Sequence, residues 1–283
     1  METLSTSSEI RKIARSLKVA NKSIGFVPTM GYLHEGHLSL IRESKKKCDV
    51  TFVSIFVNPT QFSPTEDLSK YPRDINRDSK LLEKLEVDYL FYPDVNEIYP
   101  SGFSSFIEVG PLTQILEGEF RPTHFRGVTT VVSILFHIVQ PDYAFFGQKD
   151  AQQAAVIKKM VSDLKFDTQI IVCPIVREPD GLAMSSRNVY LSTAERKDAL
   201  VLSQALNLVK SKVERGEHNS LKLIEEMIKL ISSVPTSQLN YVKIVEADTF
   251  NDAEYLCEGA EYLILIACKI GQTRLIDNLL LKL

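Results

Sequence analysis

Two histidines three residues apart, His34 and His37, flank Glu35 and Gly36 in the stretch MGYLHEGHLSL (Met30 to Leu40). On a helical turn this spacing puts both rings on one face. Three chemistries then compete. A metalloprotease helix needs H-E-x-x-H, and this stretch is one residue short, with no evident acidic third ligand. A plain turn would use Gly31 and Gly36 and leave the histidines incidental. A phosphate site would use the start of the helix at His37, where free backbone N–H groups and the helix dipole attract anions. Gly36 would admit a close phosphate, and two imidazoles would donate to phosphoryl oxygens as charge builds there. The phosphate reading uses the most residues.

Other polar clusters supply matching chemistry. GQKDAQQ (Gly147 to Gln153) offers Lys149 as a point charge for phosphate and Asp150 as an acceptor for a ribose hydroxyl. MSSR (Met184 to Arg187) offers two hydroxyls and a guanidinium to a polyphosphate. NPTQF (Asn58 to Phe62) has no charge, and its amides Asn58 and Gln61 suit a neutral or singly charged substrate. RPTHFRG gathers Arg121, His124 and Arg126, which either attract anions or form a surface loop. His137 reads as a core or helix-end histidine. Taken singly, each cluster has a plain alternative: a solvated lysine, an exposed loop, a turn after a strand.

The elements between the clusters bring them to one rim. SIGFVP, DVTFVSIFVN, DYLFYP, DYAFF and QIIVCPIV read as strands, and DVTFVSIFVN has the near-continuous apolar run of a strand buried on both faces. HLSLIRESKKK, INRDSKLLEKLEV, RGVTTVVSILFHIVQ and AQQAAVIKKMVSDL read as helices. Strand and helix alternate, so the fold expected is α/β, a doubly wound, Rossmann-like parallel sheet. Ligands of such sheets bind beyond the carboxyl ends of the strands, where four of the clusters fall. After Val176 the pattern changes. REPDGLAMSSRN is a loop, and STAERKDALVLSQALNLVKSKVERG is one helix opened by a capping box from Ser192 to Glu195. A second helix follows over about 219–232, then three strands. The expected domains are therefore residues 1–176, holding nucleotide and substrate, and residues 177–283, a smaller α+β domain. Gly181 is expected to free the joining loop so that the second domain closes as a lid.

Bulk properties narrow the class. The chain has 283 residues and a net charge of −3, with no long basic block for a nucleic-acid or membrane surface. Cys48, Cys173 and Cys268 sit within or beside apolar runs, and the cysteines read as buried and reduced, those of a cytoplasmic protein. The N-terminus lacks a signal-peptide core, and Ile10, Ile13, Ala14 and Leu17 follow helical spacing instead. VVSILFHIV is far too short to span a membrane.

PTMGYLHEGH, FVNPTQF, FFGQKDAQQ and MSSRN, with RPTHFRGV and TRLIDN, together resemble the pantoate–β-alanine ligase family over essentially the whole chain. The HxGH element alone belongs to a wider adenylyl-transferring superfamily; the set in this order is specific. The resemblance implies a two-step ligase: pantoate and ATP give pantoyl adenylate and pyrophosphate, then β-alanine gives pantothenate and AMP. It implies His37, His34, Lys149 and Arg187 as catalytic residues. It implies an ATP site of Met30, Gly31, Tyr32, Leu33, His34, Glu35, Gly36, His37, Gly147, Gln148, Lys149, Asp150, Val176, Met184, Ser185, Ser186 and Arg187. Gln61 and Gln153 would hold pantoate, Gln61 also lying near β-alanine. Mg2+ would accompany ATP, with no protein ligand identified, and a cytoplasmic homodimer is expected. Two rivals stand beside it. An adenylyltransferase with a phosphate acceptor would need a basic pocket where NPTQF has amides. A silent nucleotide-binding regulator would have little use for both histidines, Lys149 and Arg187.

Overall fold

The structure, a computed structural model, describes residues 1–63, 66 and 68–283. Among them the apolar runs pair as one parallel sheet. Its strands are β1 (Glu2–Leu4), β2 (Ile24–Thr29), β3 (Val50–Ile55), β4 (Tyr89–Phe91), β5 (Tyr143–Gly147) and β6 (Gln169–Cys173), in the order β1-β4-β3-β2-β5-β6. The helices between them are α1 (Ser7–Val19), α2 (Glu35–Lys47), α3 (Ile75–Lys84), α4 (Val95–Ile98), α5 (Glu117–Phe120), α6 (His124–Val139) and α7 (Ala151–Asp163).

Alternation along the strands builds two cores. Successive strand residues point to opposite faces. Phe26, Phe52, Phe91 and Phe146 pack with Ile10 and Ala14 of α1, Val132 and Phe136 of α6, and Ile157 and Met160 of α7. Their neighbours Val27, Val53, Leu90 and Phe145 pack with Leu40 and Ile41 of α2 and Leu82 of α3. Both faces are covered, as an all-parallel sheet requires. Each of the large apolar side chains fully buried here contributes about 1.5–3 kcal/mol.

The winding reverses at β2. From there β3 and β4 follow on one side, β5 and β6 on the other. In such a sheet the crevice for a ligand opens between the two central strands, at their carboxyl ends. The loop after β2 carries Met30 to His34, and the turn after β5 carries Gln148 to Asp150. The edge strand β1 was not anticipated: three residues of the polar N-terminus pair with β4, Glu2 opposite Tyr89 and Leu4 opposite Phe91.

The chain divides into two units, Met1–Pro174 and Ile175–Leu283. The second holds α8 (Thr193–Asp198), α9 (Leu200–Val213) and α10 (Ser220–Ser232), then an antiparallel sheet of β7 (Ser237–Glu246), β8 (Glu261–Ile270) and β9 (Thr273–Lys282). Leu206, Val209, Met227 and Ile231 pack against Val242, Ile244, Ile264 and Ile266. The capping box from Ser192 to Glu195 forms. The single helix expected after it is two, divided at Ala199, where no proline or glycine marks a break. The four cysteines are free thiols, and Cys257 is exposed rather than buried. Among the described residues no helix is long and apolar enough to cross a membrane.

Candidate active site

Helix α2 begins at Glu35, two residues before the expected start at His37, and His34 is its N-cap. The Gly36 N–H donates to His34 Nδ1 at 3.2 Å, and the His34 N–H donates to His37 Nδ1 at 3.3 Å. A backbone N–H only donates, so each Nδ1 is a lone-pair acceptor and each ring carries its proton on Nε2. The ring centroids lie 4.1 Å apart. The helix start thus presents two imidazole N–H donors side by side. The Gly36 N–H is engaged by His34, which leaves Gly36 the role of keeping the helix start open. The His37 pKa lies well below the ordinary 6.5; burial is the first cause, followed by His34 and then by Lys149. His37 is half-buried by surface area, so the two neighbours matter to that direction. Glu35 pairs with Arg42 along the helix in an exposed ion pair.

The loop before these histidines is held from α3. Gly31 has φ +81°, and a Cβ there would meet Ile55 Cγ2 at 2.9 Å and Asp78 Oδ2 at 3.2 Å. Tyr32 also has positive φ, 49°. Asp78 is buried, and its two oxygens accept the N–H groups of Tyr32 at 2.6 Å and Leu33 at 2.8 Å. Burial raises the Asp78 carboxyl above its ordinary pKa, while these N–H groups and Arg77 pull it back. Arg77 donates to the Leu33 carbonyl at 2.8 Å and lies over the Tyr32 ring. Leu33 is fully buried beneath. Asp78 was missed in the sequence, yet a signal exists. Ile75, Asp78 and Leu82 share one face of a helix, which puts an acid on an apolar stripe.

Gly147 ends β5, and Gln148, Lys149 and Asp150 make the single turn that leads into α7. Lys149 Nζ lies 3.6 Å from Asp150, its side chain 21% exposed, and its charge reaches His37. The structure therefore brings His34, His37 and Lys149 together. No metal-binding group of three His, Cys, Asp or Glu side chains occurs among the described residues.

Gln61 closes the turn Pro59–Gln61 after β3 and is buried. Asn58 Nδ2 donates to its Oε1 at 3.0 Å, which fixes the flip of the amide. Asn58 is itself fixed by Tyr99, whose hydroxyl donates to Asn58 Oδ1 at 2.8 Å. Gln61 Nε2 donates to the Met30 thioether at 3.1 Å. A thioether is a weak acceptor, so a ligand oxygen could take that N–H instead. Gln152 and Gln153 stand in contrast. Buried Gln152 accepts from the Glu117 N–H and donates to the carbonyls of Leu112 and Ile115. Its neighbour Gln153 is half-buried in the first turn of α7, its amide in none of these bonds.

In the second unit, Val176 to Arg187 form a braced hairpin. The Val176 carbonyl accepts the Met184 N–H at 3.0 Å, and Glu178 N–H donates to the Leu182 carbonyl at 2.8 Å. Arg177 grips Asp277 with two bonds, 2.6 and 2.9 Å, and donates to the Gly181 carbonyl. Arg196 holds Glu178 and Asp180. Ser185 caps the Arg187 N–H, Ser186 is buried, and Arg187 is half-buried. Gly181 takes φ +99°, a glycine conformation, with its N–H donating to the Glu178 carbonyl and its carbonyl accepting from Arg177. His137 is exposed near the end of α6 and bonds the Ser133 carbonyl.

The family model described as Pantoate-beta-alanine ligase matches residues 2–280. A pantothenate synthetase of Caldicellulosiruptor saccharolyticus is 55% identical over 274 residues, 97% of each chain. The crystal structure of pantothenate synthetase from Thermus thermophilus superposes with a TM-score of 0.92 at 44% identity, covering 99% of both chains. A pantoate-beta-alanine ligase from Francisella tularensis, solved with beta-gamma ATP and beta-alanine, superposes with a TM-score of 0.80 at 37% identity, covering 99% of this chain and 97% of its own.

Proposed function

The chain belongs to the pantoate–β-alanine ligase family, and from that premise we propose which of its residues carry each part of the reaction. The reaction is the ATP-dependent condensation of pantoate with β-alanine to pantothenate. A pantoate carboxylate oxygen attacks the α-phosphorus of ATP, and pyrophosphate leaves. The β-alanine amine then attacks the acyl carbon of pantoyl adenylate, loses a proton, and AMP leaves. The substrate supplies the nucleophile in both steps, so the protein's part is positioning and charge stabilisation.

The observation that carries the assignment is the wiring of the two imidazoles. With each Nδ1 tied to backbone, His34 and His37 offer only Nε2–H. His37, its pKa held well below 6.5 by burial, His34 and Lys149, offers its Nε2–H as a hydrogen-bond donor to phosphoryl oxygen. Lys149 adds a full charge beside it, and Asp150 accepts from the ribose. Gly147 and Gln148 with Met30 to Gly36 frame the nucleotide at the carboxyl ends of β5 and β2. Gln61 presents N–H donors to the pantoate oxygens and to the nearby β-alanine carboxylate, and Gln153 supplies the second amide for pantoate.

Val176, Met184, Ser185, Ser186 and Arg187 complete the nucleotide site when the second domain closes as a lid. The bracing of their hairpin supports movement of that domain as one body, not of the loop alone. Closure would keep water from the mixed anhydride between the two steps. Mg2+ would enter on the triphosphate. Among the described residues no cluster of acids stands out to hold it, and Asp78 is engaged with backbone N–H groups. A cytoplasmic homodimer remains the family expectation, and sedimentation velocity tests the assembly. Pantoate-dependent exchange of pyrophosphate into ATP tests the function. Exchange is expected with pantoate and without β-alanine; exchange without pantoate, or none with it, rejects the reading.

A further inference from the structure

Within RPTHFRG, Arg121 and His124 are covered, while Arg126 stays exposed. Arg121 pairs with Glu66, both side chains largely covered at 14% and 20% exposure. Its Nη1 lies 3.1 Å from His124 Nε2, and His124 Nδ1 lies 3.1 Å from the Gln61 carbonyl. A guanidinium only donates and a carbonyl only accepts. The proton of His124 therefore sits on Nδ1 and is given to Gln61, the opposite tautomer from His34 and His37. His124 itself is buried.

One turn along α6, Gly127 meets the same segment. A Cβ there would lie 2.5 Å from the Thr60 carbonyl oxygen and 2.6 Å from the Gln61 nitrogen. The Gly127 carbonyl accepts from Asn58 Nδ2 at 3.1 Å, the amide that also sets the flip of Gln61. Gln61 is thereby held at its main chain by His124 and at its side chain by Asn58, and both tethers end on the first turn of α6.

We propose that His124 is a positioning residue for pantoate, fixing Gln61 through its carbonyl, with Glu66 and Arg121 setting the tautomer that lets it donate. The inference rests on the reading of Gln61 as a pantoate ligand. A buried turn fixed before the ligand arrives loses less freedom on binding. The motif thus has a substrate-specific task without touching the substrate, and a structural role alone would not single out pantoate from ATP.

Steady-state rates over pantoate and ATP decide it, with thermal melting as the check on folding. His124→Ala removes the donor. His124→Asn keeps an N–H near the Nδ1 position, whereas His124→Gln places its amide nearer Nε2. Gly127→Ala pushes the turn off α6 by an independent route. The expected result is a rise of about tenfold in the pantoate KM for His124→Ala, His124→Gln and Gly127→Ala, with the ATP KM within about twofold. His124→Asn should recover most of the loss. Should His124→Ala fail to fold, the Gln, Asn and Gly127 variants carry the same comparison. Equal losses for ATP and pantoate, or an Asn variant no better than Gln, overturn the proposal. So does a normal pantoate KM in these variants when Gln61→Ala is impaired. A Gln61→Ala enzyme with an unchanged pantoate KM removes the Gln61 reading and the proposal together.

Discussion

The histidine pair His34 and His37 and the hairpin of residues 176–187, both assigned to the nucleotide, are fastened in opposite ways. Between β2 and α2, the histidines cap their own helix: the bonds that orient them run two and three residues along the chain. Between Val176 and Arg187, the brace comes from far away, Asp277 on β9 and Arg196 on α8. A locally wired segment keeps its geometry wherever its helix is placed. A segment braced by distant charges is only as firm as the domain that supplies them. The first arrangement suits groups that must meet charge developing at one atom. The second suits a surface whose shape is set by its own domain.

That contrast can be broken at either end. Lys149→Ala should slow pyrophosphate exchange roughly a hundredfold, the scale of one lost transition-state donor, while leaving the melting temperature of the protein nearly unchanged. A small rate effect would mean that the β5 turn does not serve the chemistry. Asp277→Asn should do the reverse. Asp277 is 1% exposed and Arg177 30%, so loss of the pair is expected to cost about 2–3 kcal/mol in urea denaturation, toward the low end for a buried pair. It should share a second phenotype with Arg187→Ala: AMP released in excess of pantothenate when β-alanine is scarce. One-to-one AMP and pantothenate in both variants would separate the hairpin from protection of the intermediate.

Smaller effects sharpen the first unit. Asp78→Asn turns one acceptor oxygen into an N–H facing a backbone N–H. A cost of about 1–3 kcal/mol is expected, with a raised ATP KM because Tyr32 and Leu33 lose their anchor. Stability lost without any change in ATP KM would make Asp78 a structural residue only. The adjacent glutamines give the mildest test. Gln152→Ala should lower the melting temperature, since it orphans the Glu117 N–H and two carbonyls. Gln153→Ala should leave melting unchanged and raise the pantoate KM about tenfold. The opposite pattern would exchange their assignments.

What could be read from the sequence follows the same division. The five main strands were visible because each is a run of apolar residues closed by a polar turn, and the loops after β2, β3 and β5 keep their chemistry contiguous. The strand β1 was not visible: three residues with one buried leucine carry no period. The placement of Asp78 on an apolar stripe was legible, but its partners, the Tyr32 and Leu33 N–H groups, leave no trace in side-chain identity. His124 looked like part of a basic loop because the Gln61 carbonyl that it serves is 63 residues away. The anchoring of the hairpin of residues 176–187 was hidden for the same reason, with Asp277 100 residues distant from Arg177. A capping box such as Ser192 to Glu195 is legible in a sequence; bonds to distant backbone and distant charges are not.

The account turns on His37 being a neutral imidazole protonated at Nε2, and nitrogen-15 NMR of histidine-labelled protein measures this directly, with His37→Ala to assign the signal. The folded pKa is expected below the unfolded 6.5, because burial, His34 and Lys149 all oppose the charge. His37 should therefore stay neutral, with the Nε2–H tautomer, as pH falls through 6.5. The stability tied to its neutral form is full above 6.5 and is lost as pH drops toward and through the folded value. In Lys149→Ala the titration should move upward, toward 6.5. A His37 signal that shows Nδ1–H, or that titrates at or above 6.5 in the unaltered protein, would contradict the account.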